Sequence, residues 1–232
     1  MIDRRARRRA AEAKAWTPAT ASGDPHRGHE ETSSALHEER LDAVVSRLLE
    51  GELATVLDLG CGSGSLLRRL APVRRLERIV GLDSSLGALR AARRLLAEEG
   101  WEDDERVELL HRSLEDPGKD LAGFDAAALV ETIEHIDPVR LSVVERAVFG
   151  TLRPKAVILT TPNREYNVLY GMAEGELRHA DHHFEWDREK FRGWAQGVAE
   201  RNGYLVEVEE VGLADPVHGS PTQMAVFRLG AV

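Results

Sequence analysis

The decade Leu129–Pro138 reads Leu-Val-Glu-Thr-Ile-Glu-His-Ile-Asp-Pro and sets Glu131, Glu134 and His135 at i, i+3 and i+4. On a helical turn these side chains share one face. Two carboxylates and an imidazole gathered there without a basic partner repel one another unless a cation sits between them. Further along, Arg178–Trp186 (Arg-His-Ala-Asp-His-His-Phe-Glu-Trp) offers three more imidazoles, His179, His182 and His183. The plainer alternatives are a charged helix start for the glutamates and a solvated loop for the histidines.

The elements that must position these groups are legible from periodicity and turn chemistry. Apolar residues at helical spacing start near Leu36 and stop at Gly51. Ala54–Gly64 then reads as a buried strand, a turn with Gly60, Gly62 and Gly64, and a helix from about Ser63. Those glycines let the backbone approach a ligand closely, and Asp58 at the strand end suits an amino-acid ammonium. A second strand, Arg78–Asp83, ends in an acid where a βαβ unit presents a carboxylate to ribose hydroxyls. A helix over Leu86–Glu98 and a third strand over Val107–Arg112 lead to Ser113-Leu114, on the edge where an adenine would lie. Strands are expected at Phe124–Val130, Ala156–Thr161, Tyr204–Gly212 and Gln223–Leu229, with helices at Val139–Leu152 and Asp187–Asn202. The fold class is therefore α/β, Rossmann-like. Glu131 falls at the carboxyl end of the fourth strand, where open α/β sheets bind ligands. The connection from Pro162 to Asp187 is long for such a unit, hence functional or disordered. Arg178, His182, Phe184 and Trp186 argue against disorder.

Composition bounds the rest. With 232 residues, 42% hydrophobic and 31% charged, one sizeable domain is the default. No run approaches the roughly 18 apolar residues of a membrane span, and the basic start lacks the apolar core of a secretory signal. Cys61 is the single cysteine, which excludes an intramolecular disulfide and agrees with a reducing compartment; a cytoplasmic location is expected. Net charge is −9, which is not the footprint of a protein that coats nucleic acid. The first fifteen residues run against this with Arg4, Arg5, Arg7, Arg8, Arg9 and Lys14, either a solvated arm or a phosphate-contacting tail. Residues 1–35 are expected to be arm and linker, and 36–232 the folded domain.

Taken together, the glycine loop, Asp83 and Ser113, each at a strand end, resemble the class I S-adenosylmethionine-dependent methyltransferases over about residues 36–230. That resemblance implies a seven-stranded, mostly parallel sheet with its last strand antiparallel. It implies S-adenosyl-L-methionine held by Asp58, Gly60, Gly62, Asp83, Ser84, Ser113, Leu114 and Val130. The narrower likeness lies in Glu131-x-x-Glu134-His135, the Thr-Pro-Asn-x-Glu-Tyr-Asn run over 161–167, and Asp181-His182-His183-Phe184-Glu185-Trp186. These are similar to the small-RNA 3′-terminal ribose 2′-O-methyltransferases.

Membership of that family would assign Glu131, Glu134, His135 and His182 to one divalent metal and to catalysis, and Asn163, Arg178 and His183 to the RNA. His183 stands where the family often has Lys or Arg. The acceptor would be RNA with a free 3′-terminal 2′,3′-diol, and bacterial members act with an RNA kinase-phosphatase-ligase. A ribose hydroxyl is a poor nucleophile until it loses its proton, and a cation lowers the pKa of a bound oxygen by several units. Mixed nitrogen and oxygen ligation suits Mn²⁺, Fe²⁺ or Co²⁺ better than Mg²⁺. Which histidine takes the proton stays open. Two rival readings remain: a metal-free methyltransferase of small molecules using Glu131 and His135 as base and orienter, and a non-catalytic RNA- or partner-binding module.

Overall fold

Short runs of aliphatic and β-branched residues build a sheet that is apolar on both faces. The computed structural model describes residues 25–230, with side chains from Ser34 onward; the arginine-rich arm lies outside the described residues. The strands are β1 (Thr55–Leu59), β2 (Arg78–Asp83), β3 (Val107–His111), β4 (Ala126–Val130), β5 (Ala156–Pro162), β6 (Tyr204–Val211) and β7 (Thr222–Leu229). They lie in the order β3-β2-β1-β4-β5-β7-β6. Only β7 is reversed, antiparallel to both β5 and β6 between which it lies. The expected sheet, with its one antiparallel strand, is the one observed.

Period-two alternation sends neighbouring strand residues to opposite faces. Leu57, Leu59, Val80, Leu82, Ala127, Leu129, Val157 and Leu159 share one core with Phe191, Ala195 and Val198 of α5 (Arg188–Asn202) and with Leu141, Val144 and Val148. Val56, Ile79, Ala126, Ala128 and Ile158 face the other core, against α1 (Pro25–Leu49), α2 (Ser65–Leu70) and α3 (Leu86–Glu98). Strands covered on both faces by helices read as continuous apolar runs, as these do.

Two expectations need correction. The first helix begins at Pro25 rather than Leu36, so the expected linker is helical from there. Proline is tolerated in a first helical turn, and Glu30, Glu31 and Ala35 are good helix formers among the Ser, Thr and His that suggested a loop. The compact unit itself begins at Ala35. The helix expected over Val139–Leu152 is three pieces: a 3₁₀ turn at Pro138–Arg140, α4 (Leu141–Glu145), and a π-helical segment over Arg146–Leu152. Among the described residues no helix is long and apolar enough to cross a membrane.

Candidate active site

The turn after β1 is fastened before any ligand arrives. The amides of Gly60 and Cys61 both donate to the Leu82 carbonyl. Asp83, ending β2, accepts from the Gly62 amide at 3.0 Å and the Ser85 amide at 2.7 Å. Gly60 has φ +82°, and a side chain there would come within 2.8 Å of Thr132; only glycine fits. The turn opens a cleft of about 460 Å³ lined by Gly60, Gly62, Asp83, Ser84, Ser113, Leu114, Glu131 and Thr132, within the usual size range for a small-molecule site. Asp58 is buried beneath it with Oδ2 unpartnered. Burial first, and the Asp83 charge second, push its carboxyl up to about 7. An ammonium group would satisfy that oxygen and hold the charged form. Of the expected cofactor residues, Val130 packs on the core of the α1–α3 face and is not among those lining the cleft.

Past β4 the backbone turns sharply. Glu131 adopts φ +48°, a left-handed conformation uncommon for a residue with a side chain, and its amide is held by both the carbonyl and the hydroxyl of Thr160. The expected single helical turn is thus a left-handed residue followed by a 3₁₀ turn, Ile133–His135. Glu134 is fully buried, with Oε2 accepting from the Thr161 hydroxyl at 2.9 Å and Oε1 unpartnered. Burial, and then the Glu131 charge, raise its pKa well above the carboxylate norm.

The long loop between β5 and α5 brings His182 over this turn. The His182 and His135 rings stand 4.7 Å apart. His182 Nδ1 lies 2.7 Å from Glu185 Oε1, and His135 Nδ1 lies 3.2 Å from the Asp181 carbonyl. Both partners can only accept while Glu185 is ionised, so each ring donates through Nδ1, and a neutral ring then presents Nε2 as a lone pair. Burial, and next the His182 ring, lower the His135 pKa and favour that neutral form. Glu185 is itself fixed, because the Asn167 amide and the Arg178 backbone N–H also donate to it, each at 2.7 Å. Ligand atoms of Glu134, His135 and His182 all lie within 4.8 Å of one another.

Glu131, the fourth expected ligand, is not in that group. Its Oε2 pairs with Arg40 Nη2 at 3.1 Å, while Oε1 is buried without a partner. The expectation of carboxylates without a basic partner is therefore corrected: α1 supplies a buried guanidinium, itself donating to the Thr222 hydroxyl at 3.0 Å. Two orphaned carboxylate oxygens beside two preset imidazoles form a donor set that suits a divalent cation.

The expected RNA contacts divide. Asn163 is fully buried and donates to the His218 and Ser220 carbonyls while accepting from the Glu165 amide. Arg178 donates to Asn167 Oδ1 and to the Pro221 and Asn163 carbonyls. Both tie the loop to the segment just before β7. His183 is exposed, its amide anchored on the Glu134 carbonyl at 2.8 Å. Arg40, Thr161 and Glu185 were missed as site residues. Glu185 sat inside a quoted motif; Arg40 looked like any charged residue on an amphipathic helix.

Residues 57–158 match the family of methyltransferase domains. A small RNA 2′-O-methyltransferase of Rattus norvegicus is 36% identical over 202 residues, which cover 83% of this chain and 51% of the relative. The methyltransferase domain of a bacterial Hen1, CtHen1-C, is 43% identical with a TM-score of 0.75, covering 84% of this chain and all of that one. The small RNA methyltransferase HEN1 is 31% identical with a TM-score of 0.77, covering 84% of this chain and 26% of that one. The chain spans about half the length of the curated relatives it matches.

Proposed function

The chain belongs to the Hen1-type small RNA 2′-O-methyltransferase family, and on that premise we propose that it transfers a methyl group from S-adenosyl-L-methionine to the 2′-oxygen of a 3′-terminal ribose on RNA. The observation that carries this reading is the convergence of Glu134, His135 and His182 on a turn whose first residue, Glu131, lines the cleft. Asp58 would take the donor's ammonium and Asp83 its ribose hydroxyls; Ser113 and Leu114 would border its base. The transfer forms a carbon–oxygen bond, breaks the sulfonium carbon–sulfur bond, and releases the hydroxyl proton. With Nδ1 of both rings donating and Nε2 committed to the cluster, neither His135 nor His182 has a lone pair for that proton. It would pass to solvent or to the exposed rim imidazoles His179 and His183. A divalent cation held by Glu134, His135 and His182, with Glu131 on the same turn as Glu134, would supply acidity to the hydroxyl and discrimination for a vicinal diol. Mn²⁺, Fe²⁺ and Co²⁺ suit these donors better than Mg²⁺. An end bearing a 3′-phosphate would have to be dephosphorylated first, chemistry that an RNA kinase-phosphatase-ligase supplies.

The test is transfer of labelled methyl from the donor to short RNAs, with and without Mn²⁺. A 3′-hydroxyl RNA should be methylated only with the metal. Ends carrying 2′-deoxyribose, 3′-deoxyribose or a 3′-phosphate should be inert. Equal rates on 3′-deoxy and 3′-hydroxyl ends would sink the diol requirement, and activity undiminished by a chelator would favour a metal-free mechanism.

A further inference from the structure

Arg40 is a buried cation that the reaction outlined above leaves without a task. It stands on α1, remote in sequence from every residue of the cluster, and is 7% exposed. Its guanidinium grips two elements at once. Nε and Nη2 donate to Thr222 Oγ1 on β7 at 3.3 and 3.0 Å, and Nη2 lies 3.1 Å from Glu131 Oε2. Glu131 is thereby held on both sides: its amide by Thr160, in a strained left-handed backbone, and one carboxylate oxygen by Arg40. Its other oxygen is buried and partnerless.

That asymmetry has a physical reading. The fixed guanidinium at Oε2 stops the carboxylate from rotating to offer both oxygens to a cation, and leaves Oε1 as its single unpartnered oxygen. We infer that Arg40 is a positioning residue for metal binding, acting through Glu131: it fixes that carboxylate by one oxygen so that the other is left for the cation. The inference rests on the metal reading above.

The alternative is that Arg40 merely rivets α1 to β7 through Thr222. A double-mutant cycle separates the two, because residues that act through one another give non-additive effects. Mn²⁺ affinity would be measured by calorimetry and by the electron paramagnetic resonance signal of free Mn²⁺, on wild type, Arg40→Met, Glu131→Gln and the double variant. Donor affinity and thermal unfolding of each report on the fold. Arg40→Met should weaken Mn²⁺ binding by about 10–100-fold, the usual effect of removing an outer partner of a ligand. The same change made on the Glu131→Gln background should alter it no more than about twofold, an additivity error of the common size. Arg40→Lys, which keeps charge but not the two-point grip, should fall between wild type and Arg40→Met. A fully additive cycle, or Arg40→Met binding Mn²⁺ as wild type does, overturns the inference. If Glu131→Gln alone leaves Mn²⁺ binding intact while Glu134→Gln and His182→Ala abolish it, the inference fails but the metal reading stands. If none of these variants changes Mn²⁺ binding, the metal reading itself falls.

Discussion

Replacing Asp58 by asparagine should stabilise the cofactor-free protein and cripple cofactor binding together. Asp58 is 2% exposed with one carboxylate oxygen unpartnered, and its carboxyl titrates at about 7 instead of 3.8. Holding it ionised therefore costs roughly 4 kcal/mol, an upper figure. The sign follows from linkage: the folded state keeps a proton that the unfolded state releases, so this group's contribution falls as pH rises from about 4 to about 7 and is least favourable above that. Asparagine removes the charge at nearly constant volume but leaves amide groups that themselves lack partners, about 1–3 kcal/mol. The net gain at about pH 8 should be of order 1–3 kcal/mol, or roughly 2–10 °C in melting temperature for a domain of this size. At about pH 5, where wild-type Asp58 is already neutral in the folded protein, the gain should vanish. Donor binding should move the other way. Losing a charge-assisted contact to the ammonium costs about 1.5–3 kcal/mol, some 10–150-fold in affinity. Wild-type affinity should also fall as pH drops below about 7, and the variant's should not. Differential scanning calorimetry at the two pH values and titration calorimetry with the donor measure both arms. An Asp58→Asn protein no more stable than wild type at about pH 8, or binding the donor equally well, would refute the reasoning.

Other side chains give sharper, smaller tests. Glu185 accepts from His182, Asn167 and the Arg178 amide, and Asn167 cannot flip because its Oδ1 accepts from Arg178 Nε; Glu185→Gln sets an N–H against a donor and should weaken Mn²⁺ binding by about 10–100-fold. Unchanged affinity on titration would remove it from the site's support. Asp83→Ala should reduce donor affinity and also lower stability by about 1–3 kcal/mol, since the Gly62 and Ser85 amides lose their acceptor; chemical denaturation reads the second effect, and its absence would mean that the loop is held elsewhere. Asp125 is pushed up by burial but more strongly down by Lys155 and by the Ala54 and Thr55 groups, to about 2. Its stabilisation should be complete above about pH 4 and lost as pH falls toward 2, so the melting gap between wild type and Asp125→Ala should close over that window.

Strand positions were legible because both cores demand aliphatic side chains at Val56, Leu57 and Leu59 and at every position from Ala126 to Leu129. That signal survives without knowledge of neighbours. Glu134, His135 and His182 were legible for a different reason: unlike-type ligands at fixed spacing stand out from background charge. What stayed hidden was long-range pairing. Nothing local distinguishes Arg40 from Arg47 on α1, though one is buried against Glu131 and the other lies half exposed beside Glu50 and Glu209. Asn163 and Arg178 show the same blindness: polar residues in a long loop suggest substrate, and nothing local reveals that these also brace the loop with internal hydrogen bonds. The start of α1 was missed because Ser, Thr and His mask a helix whose formers are sparse.

The insertion of β7 between β5 and β6 makes a strand late in the sequence part of the site's support. The cleft for the donor uses β1 to β4 and the turns that follow them, all made early in synthesis. The surroundings of Glu134, His135 and His182 are braced from later in the sequence. Thr222 anchors Arg40, the Gln223 amide donates to the Pro162 and Trp186 carbonyls, and the Pro221 carbonyl receives Arg178 and the Asn163 amide. Each of these fastens a group on which Glu131 or His182 depends. β7 also puts Ala225 and Phe227 into one core and Met224 and Val226 into the other, so it supports the sheet as well as the site. Transfer should therefore require the sheet's reversed strand in place, and truncation before Pro221 should abolish it.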